Sequence, residues 1–198
     1  MTTHSARIIL ISTAALAGLV LCVSLGLLAS GLMSPSGAPR TASIGGPFHL
    51  TDQNGRMVTE RDLKGAPFLV FFGFTHCPEV CPTTLFEVSE ILRKLGPDAD
   101  RVRALFITID PDRDTSAALK DYLSSFDPRM LGLTGDPAEI AAVAKAYRVY
   151  YKKVPLEQDY TMDHTTIVYL MDKEGRFVSP FNLKRTTEAA AADLRRYL

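Results

Sequence analysis

The chain has 198 residues, with 22 Lys+Arg balancing 22 Asp+Glu and 46% hydrophobic residues. That length suits one soluble domain of ordinary size plus a further element. The neutral balance carries no electrostatic footprint for nucleic acid, and no internal repeat or low-complexity tract points to a repeat architecture.

The further element comes first. Residues 8 to 33 read IILISTAALAGLVLCVSLGLLASGLM, 26 residues without a charge. About 20 apolar residues cross a bilayer, whereas a signal-peptide core needs only about 7–15. No cysteine follows the small-residue run LLASG, which argues against a lipoprotein. The segment therefore reads as an uncleaved single-pass anchor, with Cys22 as a small apolar residue inside it. The short tail 1–7 carries His4, Arg7 and no acid, and the first charge after the span is Arg40. The positive-inside bias places that tail in the cytoplasm and everything after the span outside it. Residues 34–46, SPSGAPRTASIGG, have the composition of a flexible tether. Residues 47–198 then form one domain of about 150 residues, large enough for a real core.

Within that domain, HLTDQNGRMV (49–58) alternates around Asn54-Gly55, a hairpin signal. Phe68 to Phe74 is a continuous apolar run and reads as a central strand covered on both faces. A helix is expected over Pro82 to Leu95, a second buried strand over 104–110, and helices over Ser116–Phe126 and Asp136–Tyr147. TTIVYLMD (165–172) reads as another strand, followed by the turn Lys173-Glu174-Gly175, a short strand RFV and a helix from Thr187 to Leu198. The tyrosines Tyr147, Tyr150 and Tyr151 read as helix-face packing. The order strand, helix, strand, helix, helix, strand, strand, helix predicts an α/β sandwich with a mixed sheet.

The chemistry centres on FFGFTHCPEVCPTTL (71–85), where Cys77 and Cys81 lie four apart between a buried strand and a helix. Two thiols there can be a structural disulfide, a redox couple or half of a metal site. A staple across so short a loop gains little, because chain-entropy stabilisation grows with loop length. A helix start favours the thiolate form, and in open α/β sheets ligands bind at that end of the strand. On a helix, positions i and i+4 share a face, so the spacing is expected to bring both sulfurs together. Redox and metal chemistry both remain open.

A third donor is needed to turn C-x-x-x-C into a metal signal. His164, in MDHTTIVYLMDKEG, immediately precedes the expected strand 165–172. The segment resembles the stretch of thioredoxin-like domains that packs against the cysteine motif, and that context makes His164 the best candidate. His76 is a rival, disfavoured because adjacent residues point in different directions, and His49 reads as surface. Two thiolates with one imidazole favour copper, with zinc as the alternative. Asp110 and Asp163 are available as weak extra donors or as carboxylates supporting the ligands from outside. The run IDPDRDT (109–115) otherwise reads as a polar turn whose Asp and Thr cap the next helix.

GFTHCPEVCPTTL, DPDRDT, GLTGDP, AKAYRVYY and MDHTTIVYLMDKEGRFV together resemble the Sco/SenC family of copper-binding oxidase assembly proteins, in the same order along the chain. The resemblance runs from about Gly46 to Phe181. It implies a thioredoxin-like fold and one copper ion, Cu(I) or Cu(II), held by Cys77, Cys81 and His164, with Asp110 close to the site. It also implies a non-enzymatic copper chaperone serving the copper-site subunit of cytochrome c oxidase, supplied by another periplasmic copper carrier. The alternative is a thiol-disulfide oxidoreductase using a Cys77–Cys81 disulfide. Departures are small: Glu79 stands where the family often has Asp, and Thr165 where Ser is common. With no Arg-rich presequence, the expected location is a bacterial inner membrane with the domain in the periplasm.

Overall fold

A computed structural model describes residues 19–22, 24 and 44–198. The hairpin expected around Asn54-Gly55 forms from β1 (His49–Asp52) and β2 (Met57–Thr59). Gly55 turns the chain at φ 80°, in the left-handed region glycine adopts freely. The Asp52 carboxyl accepts from the N–H groups of Asn54 and Arg56 at 2.8 and 2.9 Å. The same Asp-x-x-Gly-Arg device joins β8 (Val168–Met171) to β9 (Phe177–Pro180), where Asp172 accepts from Glu174 and Arg176 N–H at 3.0 and 2.8 Å.

The apolar run becomes β3 (Phe68–Gly73), buried at every position. It pairs in parallel with β4 (Arg103–Thr108) and antiparallel with β8. β4 runs parallel to β5 (Met130–Thr134), which pairs antiparallel with β1. The product is a seven-stranded mixed sheet in the order β2-β1-β5-β4-β3-β8-β9. β5 is not among the strands expected from sequence: Gly132 interrupts its side-chain pattern and weakens the signal. Gln53 fixes its edge, donating to Met130 C=O at 3.2 Å and accepting from Gly132 N–H at 2.8 Å.

Four helices cover this sheet: α1 (Val80–Leu95), α2 (Ser116–Leu123), α3 (Pro137–Ala146) and α4 (Thr187–Arg195). α1 buries Leu85, Val88, Leu92 and Leu95 at helical spacing. Its far end meets α4, where Arg195 donates to Lys94 C=O at 3.2 Å and Lys94 pairs with Glu188 at 2.8 Å. Thr115 caps α2, and Asp136 and Glu139 cap α3 reciprocally. Tyr147 ends α3 buried between Phe72 and Tyr169, with ring centroids 5.4 and 5.9 Å away. Tyr150 and Tyr151 lie beyond that helix, so the helix-face reading holds for Tyr147 alone.

A second sheet was not legible in the sequence. β6 (Tyr151–Pro155) and β7 (Tyr160–His164) form a two-stranded antiparallel hairpin separate from the main sheet. Its residues are largely polar and mostly half-buried or exposed, and include Pro155, so the apolar run that marks a buried strand is missing. His164 is therefore the last residue of β7, not the residue immediately before the buried strand, which starts at Val168.

Of the expected membrane segment 8–33, only residues 19–22 and 24 are described, all helical. Among the described residues no helix is long and apolar enough to cross a membrane. The expected span and the tail 1–7 otherwise lie outside the described residues. The expected tether is described from Ile44, and Gly45 N–H already donates to Ala146 C=O at 2.9 Å.

Candidate metal centre

The end of β3 and the start of α1 build one wall of the site. Cys81 lies in the first turn of α1, but Cys77 does not share its helix. Cys77 sits in the loop before it, closed by a bond from its N–H to Phe74 C=O at 3.2 Å. Pro78 biases the residue before it away from helical geometry. The sulfurs are thus not brought together by a common helical face, as the spacing suggested. The Cys77 sulfur instead accepts from the Cys81 N–H at 3.3 Å, satisfying one of the unpaired amides of the helix start. Both thiols are free.

Gly73 makes room for this arrangement. A Cβ there would lie 2.7 Å from Phe106 Cε2 and 2.8 Å from Cys81 Sγ. Gly73→Ala is expected to displace the buried Cys81 sulfur, lowering stability by about 1–3 kcal/mol through overpacking and weakening metal binding. Thermal melting and metal competition on the same preparation check both effects.

His164 reaches the site from the other side. Its Nδ1 lies 2.9 Å from Thr165 C=O. A carbonyl can only accept, so this contact puts the proton on Nδ1 and leaves the Nε2 lone pair free, the tautomer metal-bound histidines use. The ring packs edge-on against Phe74 at 5.8 Å and Phe71 at 6.3 Å. Burial pushes the His164 pKa down, opposed in part by Thr165 C=O and the Asp163 charge. The imidazole is therefore neutral near pH 7, ready to bind a cation.

The donor atoms of Cys77, Cys81 and His164 all lie within 4.8 Å of one another. Metal–thiolate and metal–imidazole bonds are about 2.0–2.3 Å long, so donors sharing one ion lie within roughly 4.6 Å. Only small movements separate this arrangement from closure on an ion. Burial pushes the Cys81 thiol pKa well up, and its contacts with Cys77 push it further. A cation must therefore displace the thiol proton, and affinity is expected to rise with pH through neutrality by up to about tenfold per unit for each proton released. Chelator competition at several pH values checks this; a pH-independent affinity would contradict it.

A carboxyl the sequence reading treated as part of a helix cap braces the cysteine loop. Asp114 is fully buried and accepts from Thr75 N–H at 3.0 Å, Thr75 Oγ1 at 2.6 Å and Thr108 Oγ1 at 2.6 Å. Thr115, not Asp114, caps α2. Nothing in IDPDRDT distinguishes its last acid from the others, because the role depends on Thr75, 39 residues away.

Asp110 is buried at the end of β4, but both its oxygens are engaged, by Arg113 Nε and by Tyr160 OH at 2.8 Å. It lies outside the three-donor cluster. Asp163 is exposed, opposite Lys152 in the β6–β7 register, and acts on His164 through its charge. His76 is exposed, with Nδ1 3.1 Å from Thr75 Oγ1, outside the three-donor cluster. His49 is exposed at the start of β1.

The family model SCO1/SenC matches residues 36–198. The chain belongs to the SCO1/SenC family. Similar solved structures include Bradyrhizobium japonicum ScoI with copper bound, 69% identical at a TM-score of 0.78, covering 79% of this chain and 100% of that one. Yeast Sco1 with copper bound is 40% identical at a TM-score of 0.69, covering 79% of this chain and 91% of that one. These likenesses agree with the mixed α/β, thioredoxin-like fold. Among curated relatives, the bovine mitochondrial SCO2 homolog is 42% identical over 166 residues. That match covers 81% of this chain but 62% of the relative, so the chain spans less than two thirds of that protein's length.

Proposed function

We propose that this SCO1/SenC chain is a copper carrier that binds one copper ion through Cys77, Cys81 and His164 and passes it by ligand exchange to the copper-site subunit of cytochrome c oxidase. The observation that carries this reading is the convergence of two sulfurs and one imidazole within 4.8 Å. Thiolates are soft donors that favour Cu(I), and a mixed sulfur–nitrogen set also holds Cu(II). Copper-bound relatives at 69% and 40% identity support the same cargo. Three protein ligands, with Cys77 and His164 half-buried, leave room for an incoming donor. The acceptor subunit, and a second periplasmic copper carrier as supplier, follow from the family resemblance. In this reading residues 8–33 anchor the chain in a bacterial inner membrane, 34–46 tether it, and the domain works in the periplasm as a carrier, not an enzyme.

The test is complementation of a strain lacking this protein. Chains carrying Cys77→Ser, Cys81→Ser or His164→Ala are expected to leave the oxidase without its copper and inactive, while the wild-type chain restores it. Normal assembly with His164→Ala would overturn the carrier reading.

One observation favours a second reading. Cys77 is half-buried while Cys81 is fully buried and donates its N–H to the Cys77 sulfur, the asymmetry of an attacking and a resolving thiol. Cys77 thiolate would attack a substrate disulfide and form a mixed disulfide. Cys81 would then attack the Cys77 sulfur, releasing the substrate as a dithiol and leaving a Cys77–Cys81 disulfide. Assembly retained in His164→Ala despite lost copper binding would select this reductase role.

A further inference from the structure

We propose that Arg113 is a positioning residue: it latches the β6–β7 hairpin onto the loop after β4 and so holds His164 against the two cysteines. The proposal rests on the copper-carrier reading above. The hairpin shares no ladder with the main sheet, so sheet hydrogen bonds do not set where His164 sits. At the hairpin's root, Thr165 N–H donates to Tyr150 C=O at 2.9 Å and Tyr150 N–H to Thr165 Oγ1 at 3.1 Å. At the other end of β7, the polar attachment centres on one guanidinium, beside the Tyr160 OH bond to Asp110 and the exposed Lys153–Asp112 pair.

Arg113 Nη1 donates to Asp159 Oδ2 and to Tyr160 C=O, both at 3.1 Å, and so grips the start of β7. Its Nε donates to Asp110, whose other oxygen accepts from Tyr160 OH at 2.8 Å. The guanidinium carbon lies 3.7 Å from the Tyr160 ring centroid and 5.9 Å from that of Phe74. Phe74 is the ring that packs edge-on against His164, and its carbonyl closes the Cys77 loop. One side chain thus bonds to the loop that follows β4 and to the strand that ends in His164, and its guanidinium faces the Phe74 ring that packs against His164. A planar fork that bonds and stacks at once suits this task, and a lysine cannot reproduce it. Lys153 also spans hairpin and loop, at 2.9 Å from Asp112, but that pair is exposed and contributes little. A carrier must also release its cargo. If the latch opens, His164 withdraws with the hairpin while both thiols stay on the main sheet's edge.

The test uses the full chain loaded with Cu(II), comparing wild type, Arg113→Gln and Lys153→Ala, each also combined with His164→Ala. Arg113→Gln is expected to lower copper affinity about 10–100-fold, the usual cost of losing a residue that orients a ligand. It should also lose nitrogen hyperfine structure in electron paramagnetic resonance while keeping the sulfur-to-copper charge-transfer band. Lys153→Ala should match wild type. In the His164→Ala background Arg113→Gln should cost nothing further, because its effect runs through His164. Nitrogen coupling and affinity unchanged in Arg113→Gln, or the same loss with and without His164, would overturn the proposal. Should Arg113→Gln fold poorly, Asp159→Asn removes one exposed anchor of the same latch; a smaller loss in the same direction supports it and no change overturns it. Wild-type chain that binds no copper would overturn the carrier reading itself, a distinct failure.

Discussion

His164→Ala is expected to lower copper affinity by more than about a hundredfold, above the range seen for residues that merely support a ligand. It removes one of three donors from a site whose other two sulfurs stay in place, because Cys77 and Cys81 are held by the β3–α1 connection and not by the hairpin. The fold should survive: the lost ring makes two edge contacts, with Phe71 and Phe74, worth about 0.5–1.5 kcal/mol each, and one hydrogen bond to Thr165 C=O, worth about 1 kcal/mol. Chelator competition and thermal melting on one preparation separate the two quantities. A large affinity loss with a small shift in melting temperature is the expected pattern. Thiol–disulfide exchange at Cys77 should be little changed in the same variant, so the substitution also divides carrier from reductase.

Asp114→Ala is expected to be the most destabilising single change near the site, at about 3–5 kcal/mol. The carboxyl receives three hydrogen bonds, two from Thr75 and one from Thr108. Each donor left buried without a partner costs about 1–3 kcal/mol. For a chain of this size that lowers the melting temperature by roughly 6–20 °C. Asp114→Asn should recover part of the loss, since its amide oxygen still accepts but its nitrogen cannot. The effect reaches the metal site because Thr75 lies two residues before Cys77 on the same loop. Copper affinity should therefore fall in Asp114→Asn even where the protein remains folded. Wild-type stability in Asp114→Ala would refute the bracing role.

The parts legible in the sequence are those where local pattern and tertiary environment agree. Phe68–Gly73 is apolar throughout because both faces are covered, and Asn54-Gly55 marks a turn that Asp52 then completes. The parts that escaped are those defined by distant partners. β5 carries Gly132 and owes its place to β4 and to Gln53. The β6–β7 hairpin is polar because it packs outside the main sheet, yet it brings His164 to the cysteines. All three donors were named from the cysteine spacing and the family resemblance, but their geometry was not: Cys77 lies in a loop, and its sulfur accepts from the helix instead of riding on it. Asp114 and Arg113 looked like polar turn residues. Their roles depend on Thr75 and on Tyr160, 39 and 47 residues away.

The central claim is that one copper ion is held by two sulfurs and one imidazole of the same chain. X-ray absorption at the copper edge, on the full chain loaded to saturation, tests it directly. The account predicts one copper per chain with two sulfur scatterers and one imidazole nitrogen, the imidazole signal disappearing in His164→Ala. A sulfur-only shell in the wild-type chain, or an imidazole signal that persists in His164→Ala, would contradict it.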